Sequence, residues 1–227
     1  MTAKSVILVH GAWADGSSWS KVIPLLAAEG LSVTAIQMPL TSFGDDVATL
    51  HRALALVEGP VILVGHSYGG AVITEGGNDK KVAALVFIAA FAPDSDESAA
   101  SLGETVDSPP MAAEVRPDSS GFLKLTESGI RDHFARDLSD SEKTVLFAAQ
   151  APTAVASLTG KITEPAWQSR PSWYLLATED HAIAPKLQHI MSSRIMAKVT
   201  EVASSHVAML SHPDLATRLI LEAVRAV

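Results

Sequence analysis

Short apolar runs alternate with segments of helical periodicity along most of the chain. The runs have the length and β-branched content of strands buried on both faces, and they lie at 4–10, 31–36, 61–64, 82–91, 172–177 and 198–202. Apolar residues recur at helical spacing at 22–27, 46–57, 68–75, 185–194 and 213–224. This alternation predicts an α/β fold with about six mostly parallel strands and with helices on both faces of the sheet.

The alternation stops after Pro93. Residues 93–168 are rich in Ser, Asp, Pro and Ala, and they carry weaker helical patterns at 127–135 and 139–150. The strand pattern returns at 172. We therefore predict a single domain over 1–227, with a small helical cap inserted at 93–168.

Charge and composition narrow the classes of function. The 227 residues include 17 Lys and Arg against 25 Asp and Glu, and this net charge of −8 disfavours nucleic acid and anionic membranes as partners. The absence of cysteine excludes disulfides and thiolate chemistry. The longest apolar run, 82–92, is far shorter than the ~18 residues that cross a membrane, and residues 1–9 show no export signal. We expect a cytoplasmic monomer or homodimer.

A serine flanked by glycines is the candidate nucleophile. The motif Gly65-His66-Ser67-Tyr68-Gly69 follows a predicted strand and opens a predicted helix, which is the setting of a nucleophile elbow. The sharp turn strains the serine backbone and crowds the positions two residues before and after it, so that glycine fits at both. Ser67 is therefore expected to present its hydroxyl at the end of the sheet.

A serine hydroxyl needs a base, and the candidate is a histidine that follows a strand. Reactive groups gather beyond the carboxyl ends of parallel strands, and His206 comes four residues after the run 198–202. His212 directly precedes a proline, which favours a helix-capping role. For His10 and His66 we expect supporting hydrogen bonds. The other histidines, expected at the surface or at caps and without metal-ligand spacing, are His51, His133, His181 and His189.

The base needs a carboxylate to orient it. Asp180 follows the run 172–177 and precedes the histidine in the order serine, acid, histidine that this arrangement uses. Glu179 is adjacent and is expected to point away. Asp94 follows another predicted strand and is the alternative acid.

Acyl transfer also needs donors for the oxyanion that develops in the transition state, and backbone N–H groups supply them. The Tyr68 N–H lies at the start of a predicted helix, where amides are unpaired and the dipole favours negative charge. The second donor is expected from the loop His10-Gly11-Ala12-Trp13, at Ala12.

Together these motifs resemble the α/β-hydrolase superfamily along nearly the whole chain. The short cap and the segment from 180 to Ser205-His206 resemble the branch that holds plant methyl-ester esterases and hydroxynitrile lyases. The resemblance implies the α/β-hydrolase fold, no cofactor and no metal. It also implies one role for each of five residues: Ser67 as nucleophile, Asp180 as acid, His206 as base, and Ala12 and Tyr68 as oxyanion donors.

Two positions depart from the lyases of that branch. Those lyases have a lysine directly after the catalytic histidine and a threonine after the histidine of the first strand, where this chain has Val207 and Gly11. The lysine would stabilise departing cyanide, so its absence favours ester hydrolysis. By the resemblance, the substrate pocket is bordered by Trp13, Phe91, Ile183 and Val207, and the candidate lid groups are Phe134, Phe147 and Trp167.

The sequence therefore predicts a serine-dependent carboxylic ester hydrolase that acts on a small apolar ester through an acyl-enzyme. Lactone or carbon–carbon bond cleavage, perhydrolysis and lyase chemistry are alternatives, because a fold and a triad do not fix the substrate. A non-catalytic small-molecule receptor is an alternative of another class.

Overall fold

A six-stranded parallel sheet organises the computed structural model, which describes Ala3 and residues 5–227. In chain order the strands are β1 (Ser5–Val9), β2 (Ser32–Ala35), β3 (Val61–His66), β4 (Val82–Ile88), β5 (Val115–Pro117), β6 (Phe122–Leu125), β7 (Thr153–Ala154), β8 (Ser172–Ala177) and β9 (Lys198–Val202). The main sheet has the order β2-β1-β3-β4-β8-β9, and all its neighbouring strands are parallel. The predicted sheet is confirmed.

Helices cover both faces of this sheet. They are α1 (Ile23–Ala28), α2 (Phe43–Ala55), α3 (Gly69–Gly76), α4 (Ala99–Gly103), α5 (Asp140–Ala149), α6 (Val155–Leu158), α7 (Pro185–Arg194), α8 (Ala208–Ser211) and α9 (Pro213–Ala226). Short 3-10 helices lie at Gly16–Trp19, Pro110–Glu114 and Ala166–Gln168, and a π-helical turn lies at Gly129–Phe134.

The core consists of two apolar layers, one on each face of the sheet. Leu63 of β3 packs in the layer that holds Leu50 of α2 and Val72 of α3. Its neighbour Val64 packs in the other layer, which holds Ile220 of α9. Because successive side chains of a strand point to opposite faces, a strand covered on both sides needs an uninterrupted apolar run. This explains why the strand pattern was visible in the sequence.

Residues 93–168, which we call the cap segment, lie between β4 and β8. The predicted helical patterns at 127–135 and 139–150 correspond to the π-helical turn Gly129–Phe134 and to α5. The segment also contains a three-stranded antiparallel sheet, β5-β6-β7, which was not predicted. Its strands have three, four and two residues, too few to show a periodicity of two.

Element boundaries differ from the predicted ones for local reasons. β4 ends at Ile88 because the backbone turns at Ala89, whose φ is 42°. α2 begins at Phe43 because the Ser42 hydroxyl caps it, accepting the Asp45 N–H at 3.1 Å. In the predicted strand 4–10, Lys4 lies outside the described residues.

The prediction that residues 1–9 carry no export signal includes Met1, Thr2 and Lys4, which lie outside the described residues. No helix in the described part of the chain has the length and apolar character that crossing a membrane requires. The cytoplasmic location and the choice between monomer and homodimer stay predictions.

Candidate active site

Ser67 lies at the turn between β3 and α3. Its φ of 54° falls in the left-handed region, which residues with a side chain rarely adopt. Its N–H donates to the Ile88 carbonyl at 3.3 Å, and its own carbonyl accepts from the Phe91 N–H at 3.0 Å. A Cβ on Gly70 would lie 2.2 Å from the Phe91 carbonyl oxygen, so only glycine lets α3 start this close to the chain after β4. The geometry is that of a nucleophile elbow.

His206 and Asp180 form a buried pair near this turn. His206 Nδ1 lies 2.7 Å from Asp180 Oδ2, and the two side chains are 1% and 0% exposed. The pair forms because Asp180 follows β8 and His206 follows β9, which are neighbouring parallel strands. With Nδ1 bonded to the carboxylate, Nε2 is left to exchange a proton with a hydroxyl. His206 and Ser67 line the same cavity.

Three further donors fix the Asp180 carboxylate. Oδ1 accepts the N–H groups of Ala182 at 2.7 Å and Ile183 at 3.1 Å, and Oδ2 accepts Gln188 Nε2 at 2.8 Å. Gln188 is fully buried on α7, and its own Oε1 accepts the Ala177 N–H at 3.1 Å. Sequence reasoning missed this glutamine. One signal was available in the sequence. Gln188 is a polar residue on the buried face of α7, and it follows Asp180 by only eight positions, so the helix can place its side chain next to the acid.

The competing candidates are held elsewhere. Glu179 is 51% exposed and forms a surface ion pair with Arg136. The Asp94 carboxylate accepts the N–H of the next residue at 2.8 Å, within its own loop. His212 is the N-cap residue of α9, as its position before a proline predicted. Among these alternatives, none makes the contact that Asp180 makes with the histidine.

The loop after β1 comes close to the serine. A Cβ on Gly11 would lie 2.7 Å from Ser67 Cβ and 3.2 Å from its Oγ, so glycine is required for this approach. Ala12 then lines the cavity. Tyr68 lines it from the other side, as the N-cap residue of α3, where the first amides of a helix have no partner within the helix. Both predicted oxyanion donors therefore border the space in front of Ser67.

Trp13 joins this loop to the cap segment. Its φ of 57° is a left-handed conformation, which is rare for a bulky residue. Its indole N–H donates to the Leu123 carbonyl at 2.9 Å, and its backbone N–H donates to Thr153 Oγ1 at 3.0 Å. These partners lie on β6 and β7. The small sheet of the cap segment thus holds Trp13, in the loop after β1, in its strained conformation.

Two buried histidines support the site, as expected. His10 Nε2 accepts the Met38 N–H at 3.0 Å, so Nδ1 carries the proton and donates to the Gly11 carbonyl at 2.8 Å. His66 Nε2 donates to the His206 carbonyl at 2.9 Å. Burial lowers the pKa of His10 and holds the pKa of His66 well below its ordinary value. Both rings are therefore neutral at physiological pH.

A buried carboxylate anchors the side chain of Tyr68. The Tyr68 hydroxyl donates to Asp46 Oδ2 at 2.7 Å, and the Leu40 N–H donates to Oδ1 at 2.8 Å. Burial raises the pKa of the fully buried Asp46 and also raises the pKa of Tyr68. Asp46 was not predictable as a site residue, because an acidic residue in the first turn of a helix is common at the surface.

The cavity in front of Ser67 has a volume of about 180 Å³. Apart from Ser67 and His206, its described lining consists of small and apolar residues: Ala12, Trp13, Tyr68, Phe91, Ala99, Ala100, Gly103, Met111, Leu158, Ala182 and Ile183. No group of three or more potential metal ligands occurs among the described residues. The lining suits an uncharged apolar group.

Three of the four predicted pocket residues, Trp13, Phe91 and Ile183, line this cavity. The fourth, Val207, is not among the lining residues of this cavity. This residue is 1% exposed and packs in the core layer of α9, because the chain turns after His206 into α8 and directs the side chain inward.

The predicted lid groups also lie outside the cavity lining. Phe134 packs beside the His206 ring, with ring centroids 5.1 Å apart. Phe147 packs against a core layer, and Trp167 Nε1 donates to the Pro93 carbonyl at 2.9 Å. The cap residues that do line the cavity are the aliphatic and small ones.

Two of the remaining histidines form a contact that was not expected. His133 and His181 are half-buried, and their Nδ1 atoms lie 3.2 Å apart. His189 is 54% exposed, with Nε2 3.9 Å from Glu201, and His51 is exposed, as expected for surface residues.

Comparison with known proteins agrees with this architecture. The chain matches the alpha/beta hydrolase family over residues 6–218, and it belongs to that family. Salicylic acid-binding protein 2 of Nicotiana tabacum is 38% identical over 109 residues, which are 40% of this chain and 41% of that relative. That match thus spans about two fifths of the relative's length. Methylesterase 8 of Arabidopsis thaliana is 27% identical over 214 residues, which are 84% of this chain and 78% of the relative. The predicted resemblance to plant methylesterases is confirmed.

Solved structures show the same fold. A pyrethroid hydrolase from Sphingobium faniae JZ-2 superposes with a TM-score of 0.87 at 23% identity, covering 99% of this chain and 98% of that one. At this identity the likeness establishes the fold alone. The predicted α/β-hydrolase fold is confirmed.

Proposed function

We propose that this protein is a serine-dependent carboxylic ester hydrolase, with Ser67 as nucleophile, His206 as base and Asp180 as the acid that orients the base. The observation that carries the proposal is a strained serine that shares one cavity with a histidine, whose ring is bonded to a buried aspartate. Methylesterase 8 is named for a hydrolytic activity, which supports hydrolysis as the reaction. Residues 93–168 act as a cap on this domain and supply part of the cavity wall.

In the first half of the reaction, Ser67 Oγ attacks the ester carbonyl carbon while His206 Nε2 takes the hydroxyl proton. The carbonyl oxygen becomes an oxyanion, which accepts hydrogen bonds from the Ala12 and Tyr68 N–H groups. The His206 proton then passes to the alcohol as the C–O bond breaks, which leaves an acyl-serine. Asp180 stabilises the imidazolium that forms between these two steps.

In the second half, water attacks the acyl carbon and gives a proton to His206 Nε2. The same oxyanion site stabilises the second tetrahedral intermediate. When that intermediate collapses, the proton returns to Ser67 Oγ and the carboxylic acid leaves. The cycle restores the hydroxyl and needs no redox partner.

The cavity supports a small apolar ester as substrate. Its volume of about 180 Å³ is below the roughly 300–1,000 Å³ of pockets that hold drug-sized ligands. The cavity has no cation to bind a substrate carboxylate among its described lining residues. The position after the histidine is Val207, whose side chain is buried in the core, and this supports hydrolysis over the cyanide-releasing reaction that a lysine there would serve.

The test is intact-mass analysis after treatment with a fluorophosphonate, on wild type, Ser67→Ala and His206→Ala. Turnover of p-nitrophenyl acetate and butyrate is measured on the same samples. We expect the wild type to gain one adduct and to turn over the esters. Ser67→Ala is expected to lose the adduct and to lower kcat by about 10³-fold or more, because the nucleophile is gone.

Each result has a consequence. An unchanged rate in folded Ser67→Ala would reject Ser67 as the nucleophile. Labelling of the wild type without ester turnover would point to lactone cleavage, carbon–carbon cleavage, perhydrolysis or lyase chemistry on the same triad. A folded wild-type protein that is not labelled but binds small molecules tightly would support the alternative of a non-catalytic small-molecule receptor.

A further inference from the structure

Two adjacent residues of the cap segment, Arg136 and Asp137, bind the two loops that carry the histidine–aspartate pair. Arg136 forms an ion pair with Glu179, the residue directly before the acid. The Asp137 carboxylate accepts hydrogen bonds from Ser205, the residue directly before the histidine. This dipeptide thus contacts both loops. Its partners, Glu179 and Ser205, directly precede the proposed acid and the proposed base.

Asp137 makes the more extensive contact. Its Oδ2 accepts the Ser205 N–H at 2.9 Å and the Ser204 hydroxyl at 3.1 Å, and its Oδ1 accepts the Ser205 hydroxyl. Ser204 and Ser205 are 1% and 0% exposed, although Asp137 itself reaches solvent. Without the carboxylate, the N–H of the buried Ser205 would lose its partner, which is unfavourable.

The charge of Asp137 strengthens these bonds. Partial desolvation acts to raise the pKa of Asp137, but the hydrogen bonds from Ser205, Ser211 and Ser204 outweigh it and lower the pKa below its ordinary value. The group is therefore a carboxylate at neutral pH. Hydrogen bonds to a charged acceptor are about twice as strong as those between neutral groups.

The neighbouring contacts lead to the same loops. The Glu179 N–H donates to the Ser204 carbonyl at 3.2 Å, which ties the acid loop to the histidine loop. Phe134 of the cap segment packs on the His206 ring, and its carbonyl lies 3.3 Å from Ser205 Oγ. The stretch 134–137 thus contacts both the backbone of Ser205 and the ring of His206.

We propose that Asp137, assisted by Arg136, is a positioning residue that fixes the loop 204–206 so that the His206 imidazole keeps its hydrogen bond to Asp180. The inference rests on the proposed function of that pair. Asp137 lies outside the described cavity lining, so its loss affects the alignment of the base rather than substrate binding. The expected signature is a lower kcat at an unchanged KM.

The experiment compares Asp137→Asn, Asp137→Ala and Ser205→Ala with wild type. Three quantities are measured: kcat and KM with p-nitrophenyl butyrate, the melting temperature, and the downfield proton NMR resonance of His206 Nδ1–H. Outer groups that orient a functional residue commonly contribute about 10- to 100-fold, so we expect kcat to fall about 10-fold in Asp137→Asn and about 100-fold in Asp137→Ala. The His206 resonance is expected to broaden through faster exchange.

Glu142→Gln is the matched control. Glu142 also joins the cap segment to the rest of the protein, through an ion pair with Lys21 at 2.6 Å, but it contacts neither triad loop. Its glutamine variant keeps a helix-capping side chain on α5. We expect wild-type kcat and an unchanged His206 resonance.

Wild-type kcat and resonance in Asp137→Asn would overturn the proposal, and so would an equal fall of kcat in Glu142→Gln. If Asp137→Ala does not fold, Asp137→Asn and Ser205→Ala carry the same test. If wild type shows neither labelling nor turnover, the proposed function fails. The His206 resonance then still tests the contact, because it reports the histidine–aspartate bond without any reaction.

Discussion

Two glycines, Gly70 in the elbow and Gly103 in the cap segment, have opposite physical roles. In the elbow, Gly70 is surrounded by backbone, since a Cβ there would lie 2.2 Å from the Phe91 carbonyl oxygen and 2.8 Å from Ala90 Cβ. In the cap segment, Gly103 ends α4 and lines the cavity, and a Cβ there would meet no described heavy atom within 4 Å. Close packing therefore requires glycine at position 70, whereas position 103 has room for a side chain.

This contrast separates two tasks of the site. The elbow is part of the sheet core, where β3 is buried along its whole length and small residues let backbone segments touch. Its geometry holds the proposed nucleophile at a fixed position. The part of the cap segment that lines the cavity, which we call the cap wall, consists of Ala99, Ala100, Gly103, Met111 and Leu158. We expect these residues to set which group fits. We therefore expect substitutions in the elbow to change folding and those in the cap wall to change selectivity.

The largest effect is expected from Gly70→Ala. The added methyl group overlaps backbone atoms that cannot move without shifting the chain after β4, so we expect a loss of about 3 kcal/mol or more in the free energy of unfolding. Activity should fall with it, because the same contact holds the Ser67 turn. Chemical denaturation and ester turnover measure the two effects.

Gly103→Ala is the matched control for this comparison. It adds the same methyl group at a helix position with space around it, and we expect stability within about 1 kcal/mol of wild type, with a gain favoured by helix propensity. Equal losses in the two variants would show that the elbow and the cap wall are packed alike, which would remove the distinction drawn here.

Much of the fold was predictable because its signals are local. Buried parallel strands need continuous apolar runs, and the elbow needs glycines next to Ser67, so both leave a pattern in the sequence. The strand-end rule also selected Asp180 and His206, which the structure brings to one end of the sheet. What it does not fix is the direction of a side chain after a turn. The resemblance placed Val207 at the border of the pocket, and in the structure this side chain packs in the core layer of α9.

The supporting residues were not predictable for a different reason. Gln188, Asp46 and Asp137 are polar residues at helix or loop positions where exposure is the usual outcome. Their contacts depend on how distant segments pack, as for Asp137, which meets a loop 68 positions further along the chain. A sequence pattern shows how residues are spaced along one helix or strand. It does not show which distant loop the side chains of that helix or strand will contact.

The next effect in size concerns pH and the two buried histidines of the core region. Burial keeps the pKa of His10 and His66 below the ordinary value, so the unfolded chain takes up their protons first as pH falls below about 6.5. The folded protein thus loses stability on acidification, by up to about 1.4 kcal/mol per pH unit for each ring, until the lowered folded pKa is reached.

Denaturation of wild type, His66→Gln and His189→Gln at pH 7.5, 6.5 and 5.5 tests this. We expect the free energy of unfolding to change less steeply with pH in His66→Gln than in wild type. This holds even if the variant is less stable than wild type at pH 7.5. His189 is 54% exposed, so its glutamine variant should keep the wild-type slope. An identical slope in all three proteins would mean that His66 titrates in the folded state as it does in the unfolded one.

The smallest and most specific effect is expected from Gly103→Leu in the cap wall. Gly103 lines the cavity and a Cβ there meets no described atom within 4 Å, so we expect a leucine to fit without moving the backbone and to reduce the room for the acyl group. We expect the ratio of kcat/KM for p-nitrophenyl octanoate to that for the acetate to fall about 10-fold, because one or two methylenes that no longer fit are each worth about 1 kcal/mol. Gly103→Ala, which fills less of the space, should give an intermediate ratio. If the ratio stayed constant through the series from Gly to Ala to Leu, the long acyl group would have to lie outside this cavity, and the cap wall would not be the surface that selects the substrate.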